Sequence, residues 1–365
     1  MKNVVVFFGG KSVEHDVSII TGVMTANSID KTKYIALPIY VSKSGEWFIG
    51  QSLLDLDGYK NIDYTKLQRV TFVSGDNRLY AVKGKKLKEI CTVAVAINCM
   101  HGGIGEDGSL SGLLNFCGVP LASPNTLSAA VSMDKGFTKT VLKGLGVNTL
   151  PCCELTYIDE WEKYKNDFSF PLIVKPTLLG SSIGITVALD QNQLENGISY
   201  ALRFGRSVII EPCLTDFQEI NCAAYKDSDG KIIISECERP IGRTEILSFG
   251  DKYLSGKRVF PADIDKKYSD KIKQITKKVY LGLGFSGVIR IDYFLKGEEI
   301  YLNEINSVPG SLAYYLFGDT LKSFGVMLNH LLCAAERDFA VKSAVKTDYA
   351  SGILSQCGSK GVKRR

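Results

Sequence analysis

The stretch from Gly287 to Leu312, GVIRIDYFLKGEEIYLNEINSVPGSL, constrains the fold of this 365-residue chain more than any other. Val288 to Leu295 alternates apolar and polar residues as a half-buried strand does, Lys296-Gly297 supplies a turn, and Glu299 to Glu304 resumes the alternation. That pattern predicts a β-hairpin. Successive strand side chains point to opposite faces, so Arg290 and Asp292 share a face of the first strand, and Glu304 and Asn306 share a face of the second. Whether the two faces coincide depends on register, since a slip of one residue would put them on opposite sides of the sheet. If they coincide, two carboxylates, an amide oxygen and a guanidinium stand together. Mg²⁺ takes one or two carboxylates and fills its other positions with water and phosphate oxygens, which makes Asp292, Glu304 and Asn306 candidate metal ligands. Arg290 would face the reacting oxygen. The alternative is a surface hairpin with weak cross-strand charge pairs. The Pro309-Gly310 turn and its small polar neighbours favour a tight backbone pocket instead.

Length allows two or three domains, each with its own core. With 45% apolar and 23% charged residues, the composition is that of a soluble globular protein. No apolar run reaches membrane-spanning length, and the run after Asn3 is cut by Gly9-Gly10, so neither a membrane association nor a signal peptide is expected. The ten cysteines form no CxxC pair and are read as reduced thiols of a cytoplasmic protein, without a zinc site. A net charge of +5, spread diffusely, gives no nucleic-acid stripe.

Asn3 to Phe8 reads as a strand buried on both faces of a parallel sheet, followed by a Gly-Gly turn and a helix capped by Ser12, with Glu14 and His15 at its N-terminus. From the turn alone, Glu14 is as well explained by helix-dipole compensation. A strand near Tyr34 to Val41 and an irregular polar stretch to about Lys88 follow. Thr92 to Cys99 is another buried strand, ending in His101-Gly102-Gly103-Ile104-Gly105-Glu106-Asp107-Gly108, where open α/β sheets place ligand loops. Helices are expected over Pro124 to Gly144, joined at Met133-Asp134-Lys135. Strands at Phe170 to Pro176 and Gly184 to Leu189 flank a Gly-Ser-Ser loop that can close over phosphates. Lys175, before proline in an apolar strand, calls for an anion. A helix over Asp190 to Phe204, a strand over Ser207 to Glu211 and a hairpin turning at Asp227-Ser228-Asp229-Gly230 come next. The segment between Pro240 and Pro261 has the length and polarity of a lid. Helices over Lys266 to Leu283 and Asp319 to Arg337 complete the pattern.

Taken in order, GGKSVEHDVS, HGGIGEDG, MDK at 133–135, VKP with GSSIG at 174–184, Glu211 and Glu219, DKY at 251–253, RID at 290–292 and NEINSVPG at 303–310 resemble the D-alanine–D-alanine ligases of the ATP-grasp superfamily. The resemblance spans roughly residues 3 to 340. It implies an α/β (α+β ATP-grasp) fold: an N-terminal doubly wound parallel-sheet domain over 1–123, two antiparallel-sheet ATP-grasp domains over 124–211 and 212–345, and a tail over 346–365. It implies ATP held by Lys135, Lys175, Ser182 and Lys252, with Glu211 and Leu214 lining the adenine pocket and Glu219 taking the ribose. Asp292, Glu304 and Asn306 would hold Mg²⁺, two ions, with Mn²⁺ an alternative. Glu14, supported by Ser181 and Tyr253, would receive the ammonium of the first D-alanine. Arg290 and the backbone near Gly310 would stabilise the tetrahedral oxyanion, and His101, Ser311 and Leu312 would contact substrate. The implied activity is ATP-dependent joining of two D-alanines through D-alanyl phosphate for peptidoglycan synthesis, by a homodimer. Ser311-Leu312-Ala313-Tyr314-Tyr315 departs from the family's usual run after the Pro-Gly, which leaves D-serine open as the acceptor. A catalytically silent nucleotide-binding protein is the reading from another class, opposed by the presence of Lys175, Arg290, Asp292, Glu304 and Asn306.

Overall fold

The computed structural model describes residues 1–241 and 258–356. Strand β1 (Lys2–Gly9) runs through the middle of the first sheet, and its residues Val4 to Phe8 are fully buried. It pairs in parallel with β2 (Tyr34–Val41) and with a later strand, Val95–Asn98. Its odd and even side chains feed two different cores, as a strand covered on both faces requires. Between β2 and that partner lie β3 (Trp47–Ile49), β4 (Gln68–Val73), β5 (Asp76–Lys83) and β6 (Lys86–Thr92), with β7 (Val95–Asn98) and β8 (Leu121–Ala122) beyond, in the order β6-β5-β4-β3-β2-β1-β7-β8. The stretch expected to be irregular is therefore an antiparallel meander that extends the parallel part of the sheet. Its outermost strand is almost wholly exposed, so it carries no inward apolar row to betray it.

Helix α1 (His15–Ser28) follows the first turn and lies so close to the sheet that a Cβ on Gly22 would stand 2.2 Å from the Phe8 ring. Ser12 does not cap it. Glu14 holds the cap position, and the Ser12 hydroxyl accepts the Glu14 N–H at 3.0 Å, which starts the helix two residues later than the sequence suggests. Helix α2 (Ser109–Phe116) covers the opposite face. Helices α3 (Thr126–Met133) and α4 (Lys135–Gly144) meet at Asp134, whose carboxylate caps the second through the Phe137 N–H.

A four-stranded antiparallel sheet comes next, built from β9 (Cys153–Leu155), β10 (Leu172–Pro176), β11 (Thr186–Ala188) and β12 (Val208–Pro212) in the order β11-β10-β12-β9, and backed by α5 (Gln191–Ala201). A second antiparallel sheet follows: β13 (Gln218–Lys226) and β14 (Ile232–Ile234), then, after the ribbon of β15 (Arg239–Pro240) and β16 (Arg258–Val259), β17 (Val288–Lys296) and β18 (Glu299–Asn306) in the order β14-β13-β17-β18. Helix α6 (Lys266–Gly282) packs on it. The last helix, α7 (Leu321–Ser343), returns to the first sheet, where Phe324, Leu328 and Leu331 share a core with Val4, Val6 and Phe8. The return brings the turn after β18 against α1, which is where the site forms. No helix among the described residues is long and apolar enough to cross a membrane.

Candidate active site

The hairpin of β17 and β18 settles the question of register. Arg290 stands opposite Asn306 and Asp292 opposite Glu304, so all four share one face. A bulge after Asp292 leaves Asn303 as an extra residue on β18. Arg290 donates twice to Asp292, from Nε at 2.7 Å and from Nη2 at 2.8 Å, and Asn306 Nδ2 donates to Asp292 Oδ2 at 3.0 Å. Burial opposes the charge on Arg290, but the Asp292 carboxylate beside it holds the guanidinium pKa well above its usual value. Nη1 of Arg290 also reaches the Tyr315 hydroxyl at 3.4 Å. Two carboxylates and an amide are the hard oxygen donors that Mg²⁺ prefers, so this row fits the ion by its chemistry.

Two cavities meet at Glu304 of this row; the smaller also reaches Asn306, while Arg290 and Asp292 line neither. One encloses about 780 Å³, its open mouth included, and is walled by Lys135, Lys175, Leu214, Phe217, Glu219 and Glu304. It has the size and the mixed apolar and charged lining of a nucleotide site. Ser182 and Cys213 also border it. The other, about 520 Å³, is walled by Glu14, Gly102, Glu106, Lys135, Glu304 and Asn306. Lys135, Leu179, Gly180, Asn303 and Glu304 belong to both. Lys135 is held at this junction by the carbonyl of Leu179, 2.6 Å from its Nζ.

Glu211 does not line the nucleotide-sized cleft, contrary to the sequence expectation. It is 1% exposed and lies between two buried lysines, Lys139 and Lys175, the latter at 2.6 Å. Burial favours the neutral acid, but the two lysines outweigh it and hold the Glu211 carboxyl below its usual pKa. An anion is required there because Lys175, itself buried, would otherwise carry an uncompensated charge. Lys175 Nζ also donates to Asn303 Oδ1 at 3.4 Å, linking the first antiparallel sheet to the bulge of the second.

Glu14 accepts a hydrogen bond from the Ser181 hydroxyl. Ser181 and Ser182 both sit in the left-handed region, at φ 55° and 58°, a strained turn for residues with a Cβ. Gly102 leaves the space that Glu14 uses: at its φ of +68°, a Cβ would lie 3.0 Å from Glu14 Oε2.

His101 is buried behind this cavity and does not line it. Its Nδ1 lies 2.7 Å from the Val308 carbonyl, which can only accept, so Nδ1 carries the proton and Nε2 accepts from the Thr21 hydroxyl at 2.9 Å. Thr21 Oγ1 in turn accepts the Ser311 N–H at 3.1 Å. Burial pushes the His101 pKa down, in keeping with a neutral ring. Val308 N–H donates to Glu106 Oε1 at 3.1 Å, and burial, aided by the Glu14 charge, pushes the Glu106 carboxyl up to about 8. These bonds tie the turn at 308–311 to α1 and to the loop after β7. Beyond Gly310, the residues Ser311, Leu312 and Ala313 are all left-handed, at φ 52°, 51° and 50°. The Leu312 side chain is turned into the core with Val4 and Phe324, so the expectation that it faces substrate is not met. Neither it nor Ser311 nor Gly310 lines either cavity.

Lys252 and Tyr253 lie outside the described residues, as does most of the expected lid; its described ends are joined by the β15–β16 ribbon. Sequence reasoning overlooked Lys139, Asn303, Glu106 and Tyr315. Glu106 and Asn303 stand inside motifs already singled out. Lys139 carried a faint signal, one turn after Lys135 on an amphipathic helix.

Two antiparallel sheets facing across a cleft lined by lysines, with acids and an arginine on one strand pair, define an ATP-grasp enzyme. The model of the D-ala D-ala ligase N-terminus matches residues 3–124, and that of the D-ala D-ala ligase C-terminus matches residues 141–334. The chain belongs to the D-ala D-ala ligase family. It is 36% identical to the D-alanine--D-alanine ligase of Thermosipho melanesiensis over 95% of this chain and 97% of that one. Among solved structures it is similar to the D-Alanine-D-Alanine Ligase from Helicobacter pylori, at 28% identity and a TM-score of 0.76 over 90% of this chain and 98% of that one. It is likewise similar to the VanG D-Ala:D-Ser Ligase from Enterococcus faecalis, at 26% identity and a TM-score of 0.79 over 93% and 99%.

Proposed function

We propose that this chain uses ATP to join two molecules of D-alanine through a D-alanyl phosphate, making a precursor for peptidoglycan. The observation that carries the reading is the wall shared by the two cavities. A nucleotide in the larger one and an amino acid in the smaller one would meet at Lys135 and Glu304, the charged residues common to both linings among the described residues. The relatives named D-alanine--D-alanine ligase, at 30–36% identity over most of the chain, support D-alanine as the acceptor.

In this reading Lys135 and Lys175 bind the ATP phosphates, with Ser182 and the loop backbone around it, while Leu214 borders the adenine and Glu219 takes the ribose. Lys175 is pre-positioned by Glu211 and Asn303, so little side-chain ordering remains at binding. Glu14, oriented by Ser181, receives the ammonium of the first D-alanine and directs its carboxylate toward the γ-phosphate. Asp292, Glu304 and Asn306 would hold Mg²⁺, which neutralises phosphate charge so that one anion can approach another. The D-alanine carboxylate oxygen attacks phosphorus and ADP leaves. The amine of the second amino acid then attacks the acyl carbon, and phosphate departs with that oxygen. Arg290, fixed by Asp292, stabilises the oxyanion that forms in between, together with backbone N–H groups near Gly310. Lys252 and Tyr253 are assigned to closing the site against water. Units spanning 1–123, 124–211 and 212–345, homodimer assembly and a cytoplasmic location belong to the same proposal and rest on the family resemblance.

D-alanine labelled with ¹⁸O in its carboxylate tests the intermediate. One labelled oxygen must appear in the released phosphate, and its absence contradicts an acyl phosphate.

A further inference from the structure

The turn after β18 supplies no cation for the carboxylate of the acceptor amino acid. Ser311 gives its N–H to Thr21, Leu312 gives its side chain to the core, and neither borders a cavity. The face that carries Asp292 does continue outward across the sheet. Asp292 stands opposite Asn221, and Asn221 opposite Glu238, so all three point the same way. Pro240, two residues past Glu238, returns to that face, and its partner across the β15–β16 ribbon is Arg258. The Arg258 guanidinium therefore arrives on the active-site side, where it lies over the Tyr315 ring at 4.6 Å from its centre. The Tyr315 hydroxyl accepts from Arg290 Nη1 at 3.4 Å, so one phenol joins two guanidiniums.

The two arginines differ in what they are free to do. Arg290 is gripped by Asp292 through two hydrogen bonds. Arg258 Nη1 is 3.8 Å from Glu238 Oε2, too far for a hydrogen bond, and that oxygen has no other partner. Among the described residues no hydrogen bond is made by the Arg258 guanidinium, and none receives the Tyr315 phenol proton. Side-chain exposures of 31% for Arg258 and 16% for Arg290 leave a ligand a way in. Arg290 also stands opposite Asn306, a wall of the smaller cavity, so this group borders the amino-acid site.

We propose that Arg258 and Tyr315 hold the carboxylate of the acceptor amino acid, the guanidinium through paired N–H donors and the phenol through its hydroxyl. The inference deepens the ligase reading and rests on it. Arginine's planar fork matches a carboxylate in two-point contact, and the ring beneath it fixes the fork in place. In an α-amino acid the amine and the carboxylate are borne by the same carbon. A carboxylate anchored beside Tyr315 therefore leaves the amine within reach of the acyl carbon whose oxyanion Arg290 stabilises. Because D-alanine, D-serine and D-lactate all carry this carboxylate, the pair fixes the acceptor's charge and orientation and leaves its side chain to other contacts.

D-alaninamide is the probe, since it has an amine to attack with but no carboxylate to be phosphorylated or held. The full-length chain, with ATP, Mg²⁺ and D-alanine as donor, is offered D-alanine and D-alaninamide as competing acceptors, and the two products are separated by mass. The wild type should favour D-alanine by about tenfold to a hundredfold, the range that a hydrogen bond to a charged partner supplies. Arg258→Ala should lose most of that preference, making less D-alanyl-D-alanine while D-alanyl-D-alaninamide is not reduced and the KM for ATP is unchanged. Arg258→Lys should recover only part of it, and Tyr315→Phe, which keeps the ring, should lose part of it. An equal fall of both products in Arg258→Ala, or a preference as large as that of the wild type, overturns the proposal. So does a raised KM for ATP as the main effect, which would place Arg258 at the nucleotide. A wild type that yields neither product defeats the ligase reading itself, and this site with it.

Discussion

Arg290 and Asp292, two residues apart on one strand, hold each other through parallel hydrogen bonds of 2.7 and 2.8 Å. The pairing makes the guanidinium a fixed charge on the same face as Glu304 and Asn306. Removing an oxyanion-stabilising donor typically costs about 10²–10³ in turnover, and Arg290→Ala is expected to show a loss of that order. Arg290→Lys should recover little, because an ammonium cannot reproduce the planar two-point grip. Steady-state kinetics at saturating ATP check both, with an unchanged KM for ATP marking the loss as chemical.

Ser181 donates to Glu14, and a hydrogen bond to a charged partner is worth about 1.5–3 kcal/mol. Ser181→Ala should therefore raise the KM for the first D-alanine by roughly tenfold to a hundredfold, with the affinity for ATP little changed. Substrate titrations at fixed ATP separate the two.

Glu211 lies between Lys139 and Lys175. Breaking such a buried group by removing one partner costs about 3–5 kcal/mol, so Glu211→Gln should lower the free energy of unfolding by that amount and weaken ATP binding through a misplaced Lys175. The pH dependence follows from the lowered pKa of Glu211. Above the unfolded-state value, about 4.3, the ionised form contributes its full stability, and that contribution is lost as pH falls from there through the lower folded-state value. Denaturant melts of the wild type should show a steepening loss of stability below about pH 4.3, and Glu211→Gln a shallower one.

If Asp292, Glu304 and Asn306 hold the metal, Glu304→Gln should raise the Mg²⁺ concentration needed for half-maximal turnover. The expected factor is about 10–100, the range seen when even the outer partners of metal ligands are removed. A Mg²⁺ titration at fixed ATP measures it. Chelation should abolish turnover in the wild type and leave the chain folded, because the cores contain no metal-dependent element among the described residues.

Much of this was legible in the residues. The β17–β18 hairpin announces itself by alternation and a Lys-Gly turn, and β1 by an unbroken apolar run, because burial on one face or two leaves different periods. The register of Arg290 against Asn306 was not legible, since it depends on a bulge at Asn303 that alternation does not mark. Strand β6 was not legible because exposure removes the apolar row that reveals a strand, whereas β4 and β5 carry only two inward apolar residues each, Val70 with Phe72 and Leu79 with Ala81, too short a row to stand out among their polar neighbours. Lys175 was read correctly as needing an anion, but the one supplied by the fold itself is Glu211, and the sequence distance between them hides that. Likewise, the chain from Ser311 through Thr21 and His101 to Val308 spans nearly the whole sequence, so only the fold could assemble it.

The most direct measurement is phosphate release from ATP and Mg²⁺ with D-alanine alone, alongside L-alanine controls and D-alanine mixed with D-serine or D-lactate. The account predicts release with D-alanine alone, formation of D-alanyl-D-alanine, and loss of both in Arg290→Ala. No release with any amino acid despite ATP binding would contradict the enzymatic reading, and release only when D-serine is present would contradict D-alanine as the acceptor.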